Sequence, residues 1–278
     1  MRLVDTHQHL WDLTQFPYSW CSDIPALNRS FQLQEYQAAA AGLNITKTIF
    51  VECDVDEPHA LAEAHHVSVL AESQPLIAGL VASGRPEHED FETHLENLVG
   101  LSKIRGLRRV LHTQPDELSQ SARFVRNVQR LGRVGLTFDL CVLARQLPVG
   151  LKLVQSCPDV TFVLDHCGIP DVKHRALDPW RADIARLAEL PNIVCKISGL
   201  VAYADEATWT PNDLRPFVEH VIAQFGWDRV LWGGDWPVCT LTASLAHWVN
   251  ATHELVASAS PGQQAALFHL NAERIYRV

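Results

Sequence analysis

No stretch of about 18 consecutive apolar residues occurs in this 278-residue chain, so no transmembrane helix is expected. Basic residues are scarce as well. Against 32 Asp and Glu stand 23 Lys and Arg, a formal charge of −9 that disfavours nucleic acid or an anionic membrane surface as partner. The seven cysteines include no Cys-x-x-Cys pair, which suits small apolar fillers in a reducing cytoplasm. No low-complexity segment, charge block or Pro/Gly/Ser linker divides the sequence, so residues 1–278 read as one domain. Ionisable residues arrive at Asp5 and His7, which leaves no room for a signal-peptide apolar region. Missing too is a glycine-rich phosphate turn after the first apolar run, the usual mark of an open dinucleotide-binding sheet.

In its place stands Asp5-Thr6-His7-Gln8-His9. Alternate residues of a strand share a face, so a strand over 3–9 would put Asp5, His7 and His9 on one side. Two imidazoles that close, beside a carboxylate, form a metal-ligand pair or a proton-handling pair.

Short β-branched runs then alternate with longer amphipathic ones. Strands are predicted over 2–5, 46–52, 76–82, 104–109, 134–139, 160–166, 193–198 and 230–235, with helices over 58–73, 87–101, 118–131 and 213–225 between them. Eight strands alternating with helices predict a parallel sheet closed into a (β/α)8 barrel, the TIM-barrel architecture, which commonly runs to about 250 residues. Ser260-Pro261-Gly262-Gln263 reads as a capping box opening a C-terminal helix over 264–276, with Leu267, Leu270 and Ile275 on its apolar face.

A barrel directs attention to the C-terminal ends of its strands, where such folds carry their chemistry. The predicted ends present His7 and His9, Glu52, Arg85, Arg108 or Arg109, Asp139, His166, Lys196 and Asp235. Asp235 follows Gly233-Gly234 behind an apolar run, which fits a metal ligand, a base for water, or an N-terminal helix cap. His166 alone is compatible with a satisfied core histidine. With the first-strand pair and Asp235 it becomes the fourth member of a convergent site. Lys196 sits among apolar neighbours, where a lysine requires an anion or a carbonyl. Only one of Arg108 and Arg109 can face inward, where it would offer paired donors to a carboxylate or carbonyl. His65, His66, His94, His220 and His247 fall on helices and read as solvated or core-edge residues. Trp20, Trp209, Trp232 and Trp236 fit pocket walls or barrel–helix packing equally well.

Taken together, Asp5-Thr6-His7-Gln8-His9, Leu164-Asp165-His166-Cys167-Gly168, Lys196-Ile197-Ser198-Gly199, Gly233-Gly234-Asp235-Trp236-Pro237 and Asn271-Ala272-Glu273-Arg274-Ile275-Tyr276 resemble the amidohydrolase superfamily. Within its amidohydrolase-2 branch the likeness is to the sugar-lactonase group. The resemblance implies that a small sugar lactone is hydrolysed to its aldonic acid by water that Asp235 activates. His7, His9 and His166 would join Asp235 in catalysis, and Lys196, Arg108, Glu52, Arg85 and Asp139 would bind substrate. The same four catalytic residues are the implied ligands of a single zinc, which turnover need not require. Decarboxylases of the branch carry a histidine at the end of the fifth strand, where Phe138-Asp139-Leu140-Cys141 stands here. The rival readings are a mononuclear zinc hydrolase or decarboxylase of an aromatic acid or amide, and a non-catalytic sugar-acid binder. The composition permits a homo-oligomer.

Overall fold

A computed structural model describes residues 1–205 and 208–278. Eight parallel strands follow one another in sequence order around a single sheet: β1 (Leu3–Gln8), β2 (Ile45–Val51), β3 (Ile77–Ser83), β4 (Ile104–Val110), β5 (Thr137–Cys141), β6 (Phe162–Leu164), β7 (Ile193–Ile197) and β8 (Val230–Trp232). The ring closes where β8 runs past β1. Gln8 bridges Trp236, and the Asp235 amide donates to the His7 carbonyl at 2.7 Å. The helices between strands are α1 (Leu33–Ala39), α2 (Ala60–Ser73), α3 (Phe91–Val99), α4 (Ala122–Val134), α5 (Leu147–Ser156), α6 (Trp180–Ala188) and α7 (Pro211–Phe225), with α8 (Leu245–Leu255) after the last. None of the described helices is long and apolar enough to cross a membrane.

Strand alternation sorts the core into two parts. Val4, Ile49, Val51, Val81, Val163, Val194 and Leu231 fill the barrel, while their neighbours Leu3, Phe50, Leu80, Phe162, Ile193 and Trp232 face the helices. From below, α9 (Pro261–Ala265) and α10 (Asn271–Tyr276), joined by a π turn over Ala266–Leu270, close the barrel floor. The Ser260–Gln263 capping box is present. The π turn inserts an extra residue into the helical repeat, so the apolar face becomes Leu267, Phe268, Ala272 and Tyr276, and the expected Leu270 is exposed.

Two further departures from the expected elements position the site. Helix α4 runs through Val134 and stops at Gly135, whose φ of 68° suits a left-handed terminating residue. Strand β5 therefore begins at Thr137, and Asp139 lies inside it instead of at its end; Cys141 takes that end. A register shift in β1 between Asp5 and Gln8 breaks strict alternation. Asp5 turns to the helix layer, accepting from Tyr36 Oη at 2.8 Å and the Gly234 amide at 2.7 Å, while His7 turns into the barrel. The shared face expected for Asp5, His7 and His9 holds for the two histidines alone.

Candidate active site

Above the apolar layer of the barrel lies a layer of charge. The alternation that points Val163 and Val194 inward points Asp165 and Lys196 inward two residues on. Lys196 Nζ donates to Asp139 Oδ2 at 2.8 Å and to His7 Nδ1 at 3.1 Å, and lies 3.0 Å from Asp165 Oδ1. From the floor, Tyr276 Oη donates to Asp139 Oδ2 at 3.0 Å. Arg108 is the inward arginine of its pair: Nε donates to Glu52 Oε1 at 2.6 Å, and Nη1 lies 3.4 Å from Asp165 Oδ2 and 3.3 Å from His7 Nε2. Arg109 faces away, to Glu87 at 2.9 Å.

Burial and mutual charge set the protonation of this layer. Burial opposes charge on Lys196, but Asp139 and Asp165 outweigh it and hold the ammonium well above its ordinary range. Burial likewise favours a neutral Asp165, yet Lys196 and His7 push its carboxyl well below the usual range. Burial also opposes charge on Glu52, and the Arg108 guanidinium lowers its carboxyl in spite of it. His7 is driven the other way. Burial and the Lys196 charge lower its imidazole well below 6.5, so it stands neutral under a cationic neighbour.

The upper tier forms the cavity floor. His166 opens a run of four left-handed residues, His166, Cys167, Gly168 and Ile169, with φ of 54°, 55°, 70° and 45°. Such backbone costs about 1–2 kcal/mol per L-residue, and here it turns the chain so that Asp165 points into the barrel and His166 toward the mouth. Trp180 Nε1 holds the turn through the Cys167 carbonyl at 2.7 Å. Gly199 leaves room for the imidazole, since a Cβ there would lie 2.4 Å from His166 Nδ1. Asp235 sits amid the imidazoles, with Oδ1 3.5 Å from His9 Nε2 and 3.8 Å from His7 Nε2, and Oδ2 3.9 Å from His166 Nδ1. His9 Nδ1 faces the Val51 carbonyl at 2.8 Å and must donate to it, which leaves the Nε2 lone pair directed at Asp235.

A cavity of about 300 Å³ opens above, lined by His9, Arg108, His166 and Asp235 and roofed by Trp11 and Trp20 from the loop after β1. The four residues expected to converge, His7, His9, His166 and Asp235, do come together. Of the expected substrate-binding set, Arg108 alone lines the cavity. Glu52, Asp139 and Lys196 are fully buried beneath it, because they belong to the ionic layer, and Arg85 turns aside to Ser83 and Asp54. Trp232 and Trp236 pack against the helix layer, and Trp209 stacks on His247. Asp165, Tyr276, His112 and Cys141 are placed in or under the site without having been singled out as site residues. Strand periodicity counted from Val163 would have found Asp165; no local pattern marks Tyr276. His112, just past β4, brings Nδ1 to 3.2 Å from Cys141 Sγ, and burial with the Arg108 charge lowers its imidazole to about 4.

One divalent cation fits this donor set. Ligand atoms of His7, His166 and Asp235 lie within 4.8 Å of one another; were His7 to ligate through Nε2, its proton would pass to Nδ1, where Asp165 Oδ1 stands 3.4 Å away to accept it. His9 stands at the edge of the group. Against tight binding, the Arg108 guanidinium occupies positive space 3.3 Å from His7 Nε2.

A carboxylate ringed by imidazoles at the C-terminal mouth of a (β/α)8 barrel has the make-up of a hydrolase site. The chain belongs to the amidohydrolase family, which residues 4–278 match. It is 30% identical to an L-fucono-1,5-lactonase of Burkholderia multivorans, over 98% of this chain and 95% of the relative. With an L-fucono-1,5-lactonase of Burkholderia ambifaria it shares 26% identity over 99% and 95% of the two chains. The crystal structure of an amidohydrolase from Burkholderia multivorans with bound zinc superposes with a TM-score of 0.90 and 28% identity, covering 100% of both chains.

Proposed function

We propose that this hydrolase opens a small sugar lactone to its aldonic acid. The observation that carries this reading is Asp235 facing a sugar-sized cavity, with imidazoles around it and the Arg108 cation in the floor. The near-full-length likeness to two lactonases supports the substrate class.

Asp235 accepts a proton from water as the water oxygen bonds to the lactone carbonyl carbon. The carbonyl oxygen gains negative charge, which Arg108 and the Nε2–H of His7 stabilise; one such donor is typically worth about 3–4 kcal/mol in the transition state. The bond from carbon to ring oxygen then breaks, and the leaving alkoxide takes the proton from Asp235. Lys196, Asp139, Asp165 and Glu52 act beneath, fixing His7 and Arg108 in place and in charge state. A divalent ion held by His7, His166 and Asp235 would add positive charge at the carbonyl and acidify the water. The buried, unpaired cysteines suit a cytoplasmic reaction.

The test is a panel of L- and D-aldonolactones beside aryl amides and aryl esters, followed with a pH indicator. Lactones should open. Asp235→Asn, which keeps shape but cannot take the proton, should lower kcat by about a hundredfold or more with the unfolding midpoint unchanged. Closed lactones beside a turned-over amide or ester would replace this reading with that of a zinc hydrolase.

A further inference from the structure

Within the ring of eight strands, β4 and β5 stand across the barrel from β8 and β1, the strands that carry Asp235, His7 and His9. The far wall of the cavity is therefore built by the loop leaving β4 and by the last residue of β5. These supply His112 and Cys141, and both line the cavity. The mechanism above uses neither.

Their contact occupies one ring nitrogen of His112 and leaves the other for the substrate. His112 Nδ1 is 3.2 Å from Cys141 Sγ, and Cys141 is itself buried. A thiol that donates its proton to Nδ1 leaves the ring hydrogen on Nε2. Among the described residues none hydrogen-bonds that Nε2–H. A lactone whose carbonyl lies at Asp235 presents the opposite edge of its ring, with its hydroxyls, to this wall.

We propose that His112, its ring held by Cys141, is a substrate-positioning group that donates a hydrogen bond from Nε2 to a hydroxyl of the bound lactone. The inference rests on the lactonase reading and assigns it a specificity determinant. Because this contact binds the ring and takes no part in proton transfer, its loss weakens substrate binding and leaves the chemical step largely alone.

The experiment is steady-state kinetics on an aldonolactone that the wild type opens, with His112→Phe, His112→Gln and Cys141→Val, each with its unfolding midpoint. His112→Phe should raise KM about five- to tenfold with kcat within about twofold, the range of one lost hydrogen bond. His112→Gln, whose amide restores a donor, should recover much of the KM, and Cys141→Val should show part of the rise. An unchanged KM in His112→Phe, or kcat and unfolding midpoint falling together without recovery in His112→Gln, overturns the inference while the lactonase reading stands. A wild type that opens no aldonolactone removes both.

Discussion

Lys196 has no exposure to solvent, and its ammonium serves Asp139, Asp165 and His7 at once. An isolated charge at this depth is unaffordable, and removing one partner of a buried pair typically costs about 3–5 kcal/mol because the other charge is stranded. Lys196→Met strands two carboxylates. Urea unfolding at pH 7 should show a loss of at least about 3 kcal/mol, a large share of the stability of an ordinary domain; a loss below about 1 kcal/mol would mean that the network is hydrated and contributes little. The need of Lys196 for an anion was legible in its apolar neighbours, but the identity of the anion was not. Strand alternation sends Asp165 into the barrel, but that the adjacent His166 turns to the mouth beside it depends on the left-handed run from His166 to Ile169. Three of those four residues are not glycine, so composition gives no hint of it.

Helix α2 carries another buried acid, outside the ionic layer. Glu63 accepts from Tyr18 Oη at 3.0 Å beside a flank hollow of about 370 Å³, which none of the four converging residues lines. Burial, then the Glu52 charge, raises its carboxyl from an ordinary 4.5 to about 8. A raised folded value means that the folded chain holds the proton more tightly than the unfolded one. The stabilisation is complete below about pH 4.5 and is lost as pH climbs to about 8. Glu63→Gln has no such titration. The stability of the variant relative to wild type should therefore rise between pH 5 and 8.5 by an amount on the order of a few kcal/mol. A flat difference would show that the ionised carboxylate is not penalised. Elements were legible where periodicity and caps agreed, as in α2 and α7 and at the Ser260 cap. They were misplaced where a single residue changed the register: Gly135 ending α4, the shift in β1, and the π turn before α10.

At the scale of the whole molecule, eight apolar runs with polar ends were enough to give the barrel and the convergence of His7, His9, His166 and Asp235, because a closed parallel sheet leaves one mouth for all eight ends. Metal dependence is set by how charge is shared across that mouth. With Arg108 already 3.3 Å from His7 Nε2, and with His166 shared between the two groups of possible ligands (His7, His166, Asp235 and Cys141, Asp165, His166), the site should take at most one equivalent of zinc. Chelation should leave much of the lactone turnover. Two equivalents on elemental analysis, or complete loss on chelation with recovery on zinc, would reverse this expectation.

Tyr276, rising through the barrel floor to Asp139, also sets a clock. The two residues are 137 positions apart, and at about 5–20 residues per second the ribosome needs roughly 7–30 s to pass from one to the other. Until then Asp139 lacks its phenol partner, and the half-made barrel has no plug. A ribosome-stalled chain ending before residue 276 should accordingly remain open to proteolysis at sites that the released protein shields.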